Sequence, residues 1–145
     1  MPSKRETALC ALQDALLQIA GSKVGPRNSF FPETIHAAGL LILRDGEPGE
    51  PEILKSPVIY TYEHQARIDC VVQVTDPATA SAQLDALLGD IAQAVALDDS
   101  LGGAVDLAVV GAPLDDEDHQ WVGAEDLRGV VVPVTLTYAT SNPLL

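Results

Sequence analysis

The pattern that most narrows the folds open to this chain is an amphipathic stretch, residues 80–103, set between two alternating runs. Leu84, Leu87, Leu88, Ile91, Ala92 and Val95 recur at offsets of three, four, seven, eight and eleven, so they share one stripe of a helix while polar residues take the other side. Asp76-Pro77 supplies a start signal, and Gly102-Gly103, after Asp98-Asp99-Ser100-Leu101, supplies residues that tolerate left-handed backbone past the end. Before the helix Ile68, Cys70, Val72 and Val74 alternate with Arg67, Asp69, Val71 and Gln73; after it Val105, Leu107 and Val109 alternate with Asp106 and Ala108. Such alternation predicts strands with one buried face.

The rest of the chain extends this pattern. Leu9, Leu12, Leu16 and Ile19, flanked by Ala8, Ala11 and Ala15, predict a first helix over residues 5–20, closed by Gly21-Ser22. Residues 24–33 carry Gly25-Pro26, Asn28 and Pro32, which block regular helix and predict an extended connection with Phe30 and Phe31 tucked inward. Residues 38–44 are apolar enough for a strand. Asp45-Gly46 then opens an exposed acidic loop with Glu47, Glu50 and Glu52 among glycines and prolines. Strand character resumes at Val58, with Ile59, Thr61 and Glu63 on one side and Tyr60 and Tyr62 on the other, and runs toward Thr75. A second acidic connection, residues 111–126, holds Asp115, Asp116, Glu117, Asp118, His119 and Trp121. Val130, Val132, Val134, Leu136 and Tyr138 mark a last strand, the clearest in the chain. Pro133 within it cannot donate a ladder bond, so the strand lies at an edge, carries a bulge, or turns that position away from its partner.

The order is helix, three or four strands, helix, two strands. It predicts one domain over residues 1–145 with an α+β fold: a mainly antiparallel sheet of about four to six strands with two helices on one face. Aromatic content is only 4%, so Leu, Val, Ile and Ala must build the core. Cys10 and Cys70 both fall where a small apolar residue fits and read as reduced core thiols. No apolar run reaches the roughly 20 residues that span a bilayer, and the polar start argues for synthesis in the cytoplasm.

Charge is lopsided. The net of -13 arises from Asp45 onward, where three basic residues face eighteen acidic ones; before it five basic face three acidic. Such a surface repels phosphate backbones and anionic membranes, which disfavours nucleic-acid and membrane binding. Catalysis finds little footing. His36, His64 and His119 stand in no recognisable motif, and there is no nucleophile elbow, phosphate loop, dinucleotide fingerprint or paired-cysteine knuckle. Hence no catalytic, metal or cofactor residue is nominated. The run from Asp115 to His119 lacks calcium-loop spacing and reads as a solvated acidic loop. Arg67 and Asp69 share strand parity, can pair with each other or with neighbours across the sheet, and read as an exposed structural pair. Trp121 is either an interface anchor or a cap on the core.

Several strings taken together resemble tail terminator (tail completion) proteins of long-tailed phages, including versions from prophages and gene transfer agents. They are the first helix, residues 7–20; Leu40-Leu41-Ile42-Leu43-Arg44-Asp45-Gly46; Tyr60-Thr61-Tyr62-Glu63-His64 leading into residues 67–74; Leu84-Asp85-Ala86-Leu87-Leu88-Gly89-Asp90-Ile91; residues 98–103; and the ending Thr137-Tyr138-Ala139-Thr140. The resemblance implies a structural virion subunit, made in the bacterial host cytoplasm and built into the tail. It would form a ring, a hexamer, on the head-proximal end of the tail tube, stop tube polymerisation and offer a surface for head joining. Implied partners are other copies of itself, the tail tube protein and the head-tail connector, without catalysis or cofactor. The exposed residues Glu47, Glu50, Glu52, Asp115, Asp116, Glu117, Asp118 and Trp121 are the candidate assembly contacts. The competing reading is a small-ligand-binding or regulatory α+β module that uses the open sheet face.

Overall fold

The alternating runs on either side of the central helix become an inner strand and an edge strand of one antiparallel sheet. The structure, a computed structural model, describes residues 2–30, 35, 38–74, 76–114 and 127–145. Its elements are α1 (Lys4–Ala20), β1 (Leu40–Glu47), β2 (Glu52–Leu54), β3 (Ile59–Gln73), α2 (Pro77–Leu97), β4 (Leu107–Val110) and β5 (Leu127–Thr140). The sheet order is β1-β3-β5-β4, with β2 pairing β3 beyond the end of β1. All strand pairs are antiparallel. The expected α+β architecture, five strands with two helices, is the one found.

Each helix starts where its cap allows. Ser3 Oγ accepts the Glu6 N–H at 3.1 Å, and the Asp76 carboxylate accepts from Thr79 N–H and Oγ1 ahead of Pro77, satisfying amide donors that a helix start leaves free. α1 buries Ala8, Leu9, Leu12, Leu16 and Ala20; α2 buries Ala80, Leu84, Leu87, Ile91, Ala94 and Val95. The stripe of α2 is therefore slightly rotated from the sequence reading: Ala94 is inside, Leu88 half-buried and Ala92 exposed. The helix also ends at Leu97, well before the glycines. Its stop is Asp98, whose carboxylate accepts the N–H groups of Ser100 and Gly102, and Gly102-Gly103 take positive φ in the turn that follows.

Both helices lie on the face formed by Leu41 and Leu43 of β1, Ala66, Ile68, Cys70 and Val72 of β3, and Val130, Val132, Val134 and Leu136 of β5. A smaller apolar cluster on the other face joins Ile35, Leu40, Ile42 and Val71, with Leu127 against it. β5 is internal rather than an edge. Pro133 fits because its carbonyl accepts from Gly111 N–H at 2.8 Å, so its hydrogen-free nitrogen looks past the end of β4 and not toward β3. Gly111 has to be glycine there, since a Cβ would lie 2.7 Å from the proline ring.

Four expectations need correction. β1 does not stop at Arg44: it runs through Asp45-Gly46 to Glu47 by a bulge between Arg44↔Arg67 and Glu47↔Gln65, and β2 resumes the same edge of β3. Residues 45–47 and 52–54 of the predicted loop are thus the outer arm of a long hairpin, interrupted at residues 48–51. Phe30 is 95% exposed instead of tucked inward, because residues 24–28 hug the β1 edge through Gly25 and Asn28 and carry the chain outward from there. Cys10 is exposed, with its Sγ 3.4 Å from Glu6 Oε1 and Arg27 Nη1 3.6 Å from it, while Cys70 is buried as expected. In β4, Ala108 faces the core and Leu107 and Val109 are exposed, since β4 is fixed by Ala108 N–H to Asp99 O and Gly111 N–H to Pro133 O. Alternation alone does not say which parity faces inward when both are apolar.

Candidate assembly surfaces

The predicted contact residues divide by where the chain puts them. Glu47 ends β1 opposite Gln65, and Glu52 begins β2 opposite Thr61. Both are exposed, as is Glu50 in the connection between the strands. Asp115, Asp116, Glu117, Asp118 and Trp121 lie outside the described residues, as do Phe31, His36 and His119. Opposed residues in an antiparallel pair share a face, so Glu47 and Glu52 sit on the open face with Gln65 and Thr61. Exposed Glu63 of β3 falls between those two positions. Glu52, Glu63 and Glu47 thus form a carboxylate row along one margin of the sheet. Glu63 was not among the predicted contacts, although its parity with Thr61 was readable.

Two margins of the sheet carry exposed apolar side chains. At one, β2 shows Ile53 and Leu54, with Val58 just beyond the turn; at the other, β4 shows Leu107 and Val109, with Leu114 following. Among the described residues, no strand pairs with the outer edge of β2 or of β4. Among the described residues the β4 edge is covered at its start, where Ala108 N–H meets Asp99 O at 2.7 Å. The β1 edge, by contrast, is closed by residues 24–28, which form a bridge from Val24 to Leu41 and bonds from Gly25 to Leu41 and Asn28 to Leu43. Open edges are ready templates for pairing with another chain.

Ion pairs rivet the covered side. Asp69 is buried and meets Arg44 Nε at 2.9 Å, and Arg44 Nη1 donates to Ser29 O. The pair is cross-strand, one of the pairings open from the sequence, but largely out of water where the sequence suggested an exposed pair. Arg27 gathers Glu6 and Asp45, at 2.7 Å and 3.0 Å. Its guanidinium holds the Glu6 carboxyl below the usual carboxylate range. The Cys10 thiol beside it is pushed up by partial desolvation and the Glu6 carboxylate, and burial pushes the Cys70 thiol up to about 12. Neither cysteine is poised as a thiolate nucleophile.

Among the described residues no group of histidine, cysteine and carboxylate side chains could hold a metal ion, and no helix is long and apolar enough to cross a membrane. The open face carries a concavity of about 410 Å³ lined by Gly46, Glu47, Gln65, Ala66, Arg67 and Pro133. Comparison of the sequence with family models gives no match, and comparison with curated proteins gives none.

Proposed function

We propose that this protein is a tail-terminator-type assembly subunit. It joins copies of itself into a ring on the head-proximal end of a tail tube, ends tube growth and provides the surface to which the head-tail connector binds. The observation that carries this reading beyond the sequence resemblance is the pair of unlike open margins. A closed ring of identical subunits needs two different surfaces that meet at every junction, and β2 and β4 lie on opposite sides of one sheet.

Their polarity supports the same reading. β2 is antiparallel to β3, β3 to β5 and β5 to β4, so β4 runs opposite to β2. Copies related by rotation about an axis along the strands would bring β4 of one beside β2 of the next as an antiparallel pair. The carboxylate row of Glu47, Glu52 and Glu63 then flanks this junction and offers charged docking for the tube or connector. Acidic surface from each copy suits a passage for DNA, which it would repel rather than bind.

The deciding experiment is negative-stain electron microscopy of particles from a producing strain lacking the gene. Abnormally long or headless tails, restored by the intact gene, are expected; normal joined tails refute the reading. Complementation with Val109→Asp or Ile53→Asp, each at an exposed edge position, should fail while the purified variants remain folded. A second reading draws on Arg67 in the open-face concavity, which fits an acidic small ligand. Native mass spectrometry separates the two, since a retained small molecule favours the ligand module.

A further inference from the structure

His64 is completely buried, and the assembly role makes no use of it. Its Nε2 faces the backbone carbonyl of Asp45, which can only accept, so Nε2 carries the ring proton. Its Nδ1 lies 3.0 Å from the Tyr138 hydroxyl, which donates to it. The imidazole is thus a neutral tautomer with both nitrogens engaged, and a second proton requires the Tyr138 hydroxyl to turn. The charged and titratable groups that bear on the ring are Arg5 from α1, Asp45 from β1 and Tyr138 from β5, with Tyr62 of β3 packed on Tyr138. Arg5 opposes a second proton and Asp45 favours it. Burial outweighs both and pulls the His64 pKa below its ordinary value.

A route to water lies close by. A cavity of about 70 Å³ borders Tyr62 and Tyr138 and is walled by Ser3, Lys4 and Arg5 at the start of α1 and by Pro48 after β1. Among the described residues, Arg27 ties Glu6 in the first turn of α1 to Asp45 of β1, Lys4 N–H donates to Leu145 O, and Asp45 N–H donates to Asn28 Oδ1. The β3–β5 ladder beneath is continuous over residues 60–73.

We propose that His64 is an acid-operated latch: a second proton on its imidazole opens the seam between the start of α1 and the loop after β1, while the β3–β5 ladder stays paired. The driving force is hydration of an imidazolium that cannot stay in the core beside Arg5. Because the closed state has the lower pKa, the open state binds more protons. Closure is complete above the ordinary histidine value of about 6.5 and weakens as pH falls through the window below it. The latch thereby controls how the Glu47–Glu50 connection is presented, and it holds whether or not the protein forms a ring.

The test is amide hydrogen exchange by NMR on the full chain, as protection factors from about pH 7.5 to about pH 5, a range that brackets the histidine value. Protection of the Lys4 and Asp45 amides should fall by up to about tenfold per pH unit within the window, with the amides of Val132 and Val134, which stand opposite Ile68 and Ala66 in the ladder, unchanged. His64→Gln, which cannot take the proton, should lose this dependence. Arg5→Gln removes the repelling charge and lets the closed state keep the imidazolium more easily, so it should move the opening to lower pH and make it shallower, whereas Tyr138→Phe removes a bond that the closed state makes to Nδ1 and should move the opening to higher pH. Flat protection in the natural protein, or equal pH dependence in His64→Gln, overturns the latch. If His64→Gln does not fold by circular dichroism, an unmoved transition in the other two variants overturns it.

Discussion

Toward the helices, β3 and β5 present Ala66, Ile68, Cys70, Val130, Val132, Val134 and Leu136, all buried. Toward the other side the same strands present Glu63, Gln65, Arg67 and Asp69, with Thr135 and Thr137 opposite the exposed Leu107 and Val109. The first face is held by burial of apolar area, which has no direction and tolerates rearrangement. The second is held at one margin by a small apolar cluster around Ile42 and Val71 and a directed ion pair between Arg44 and Asp69, and among the described residues is left open at the other. The difference separates the half of the sheet that makes the fold from the half available to partners.

The sharpest way to break that division is to remove the ion pair, because it sits on the open face yet is out of water. Asp69→Ala takes from Arg44 its buried counter-charge, leaving the bond to Ser29 O, and should cost about 3–5 kcal/mol, read as the shift in a urea unfolding curve. A loss of a few tenths would mean that the open face adds nothing to stability even beside β1. Next come matched deletions on the two faces. Leu87→Ala, under the helix layer, should cost about 2–5 kcal/mol, whereas Val109→Ala, half exposed on β4, should stay within about 0.5 kcal/mol. Similar losses for both would show that the exposed valine is covered in solution, and the same curves taken at rising protein concentration would then tell association from packing.

A smaller effect tests the bulge that joins the faces. Gly46 has φ +64, and a Cβ there would lie 1.8 Å from the Gln65 carbonyl oxygen; Gly49 has φ +70 with nothing within 4 Å. Gly49→Ala should therefore cost only the left-handed penalty of about 1–2 kcal/mol. Gly46→Ala should cost clearly more and shift the amide resonances of Gln65 and Ala66. Equal costs would mean that the backbone at the bulge yields to the methyl group.

The covered face was largely legible in the sequence and the open one was not, for a physical reason. Leu84, Leu87 and Ile91, or Val130 through Tyr138, declare themselves by periodic burial, and periodicity is a property of sequence. Asp45-Gly46 was opaque because a glycine with left-handed backbone serves a hairpin turn and a bulge equally well; only the partner strand decides. Leu107 and Val109 read as buried because apolar alternation carries no sign, and the Asp99 carbonyl that sets the register of β4 lies well upstream. Asp69 read as exposed because a charged residue at polar parity gives no hint that Arg44 crosses to it from β1. Of the nominated contacts, Glu47 and Glu52 were legible as exposed acid, while their alignment with Glu63 depends on strand pairing. The open edges themselves are properties of sheet order, which no local pattern encodes.

The smallest expected effect concerns how the helix layer is seated on the covered face. β3 ends at Gln73 and α2 begins at Pro77, so only a short link sets the angle at which α2 crosses the sheet. Asp76 lies in that link with extended backbone, φ -149 and ψ 130, and its carboxylate accepts from Thr79 N–H and Oγ1. Asp76→Ala removes both bonds and should cost about 1 kcal/mol, with Asp76→Asn recovering most of it because an amide oxygen can also cap. The unfolding curves should shift in midpoint at constant slope, since the buried area of the folded state is unchanged. A changed slope would mean that α2 leaves the sheet when its first turn is loosened. The covered face would then depend on a directed contact in the same way that the open face depends on Arg44 and Asp69.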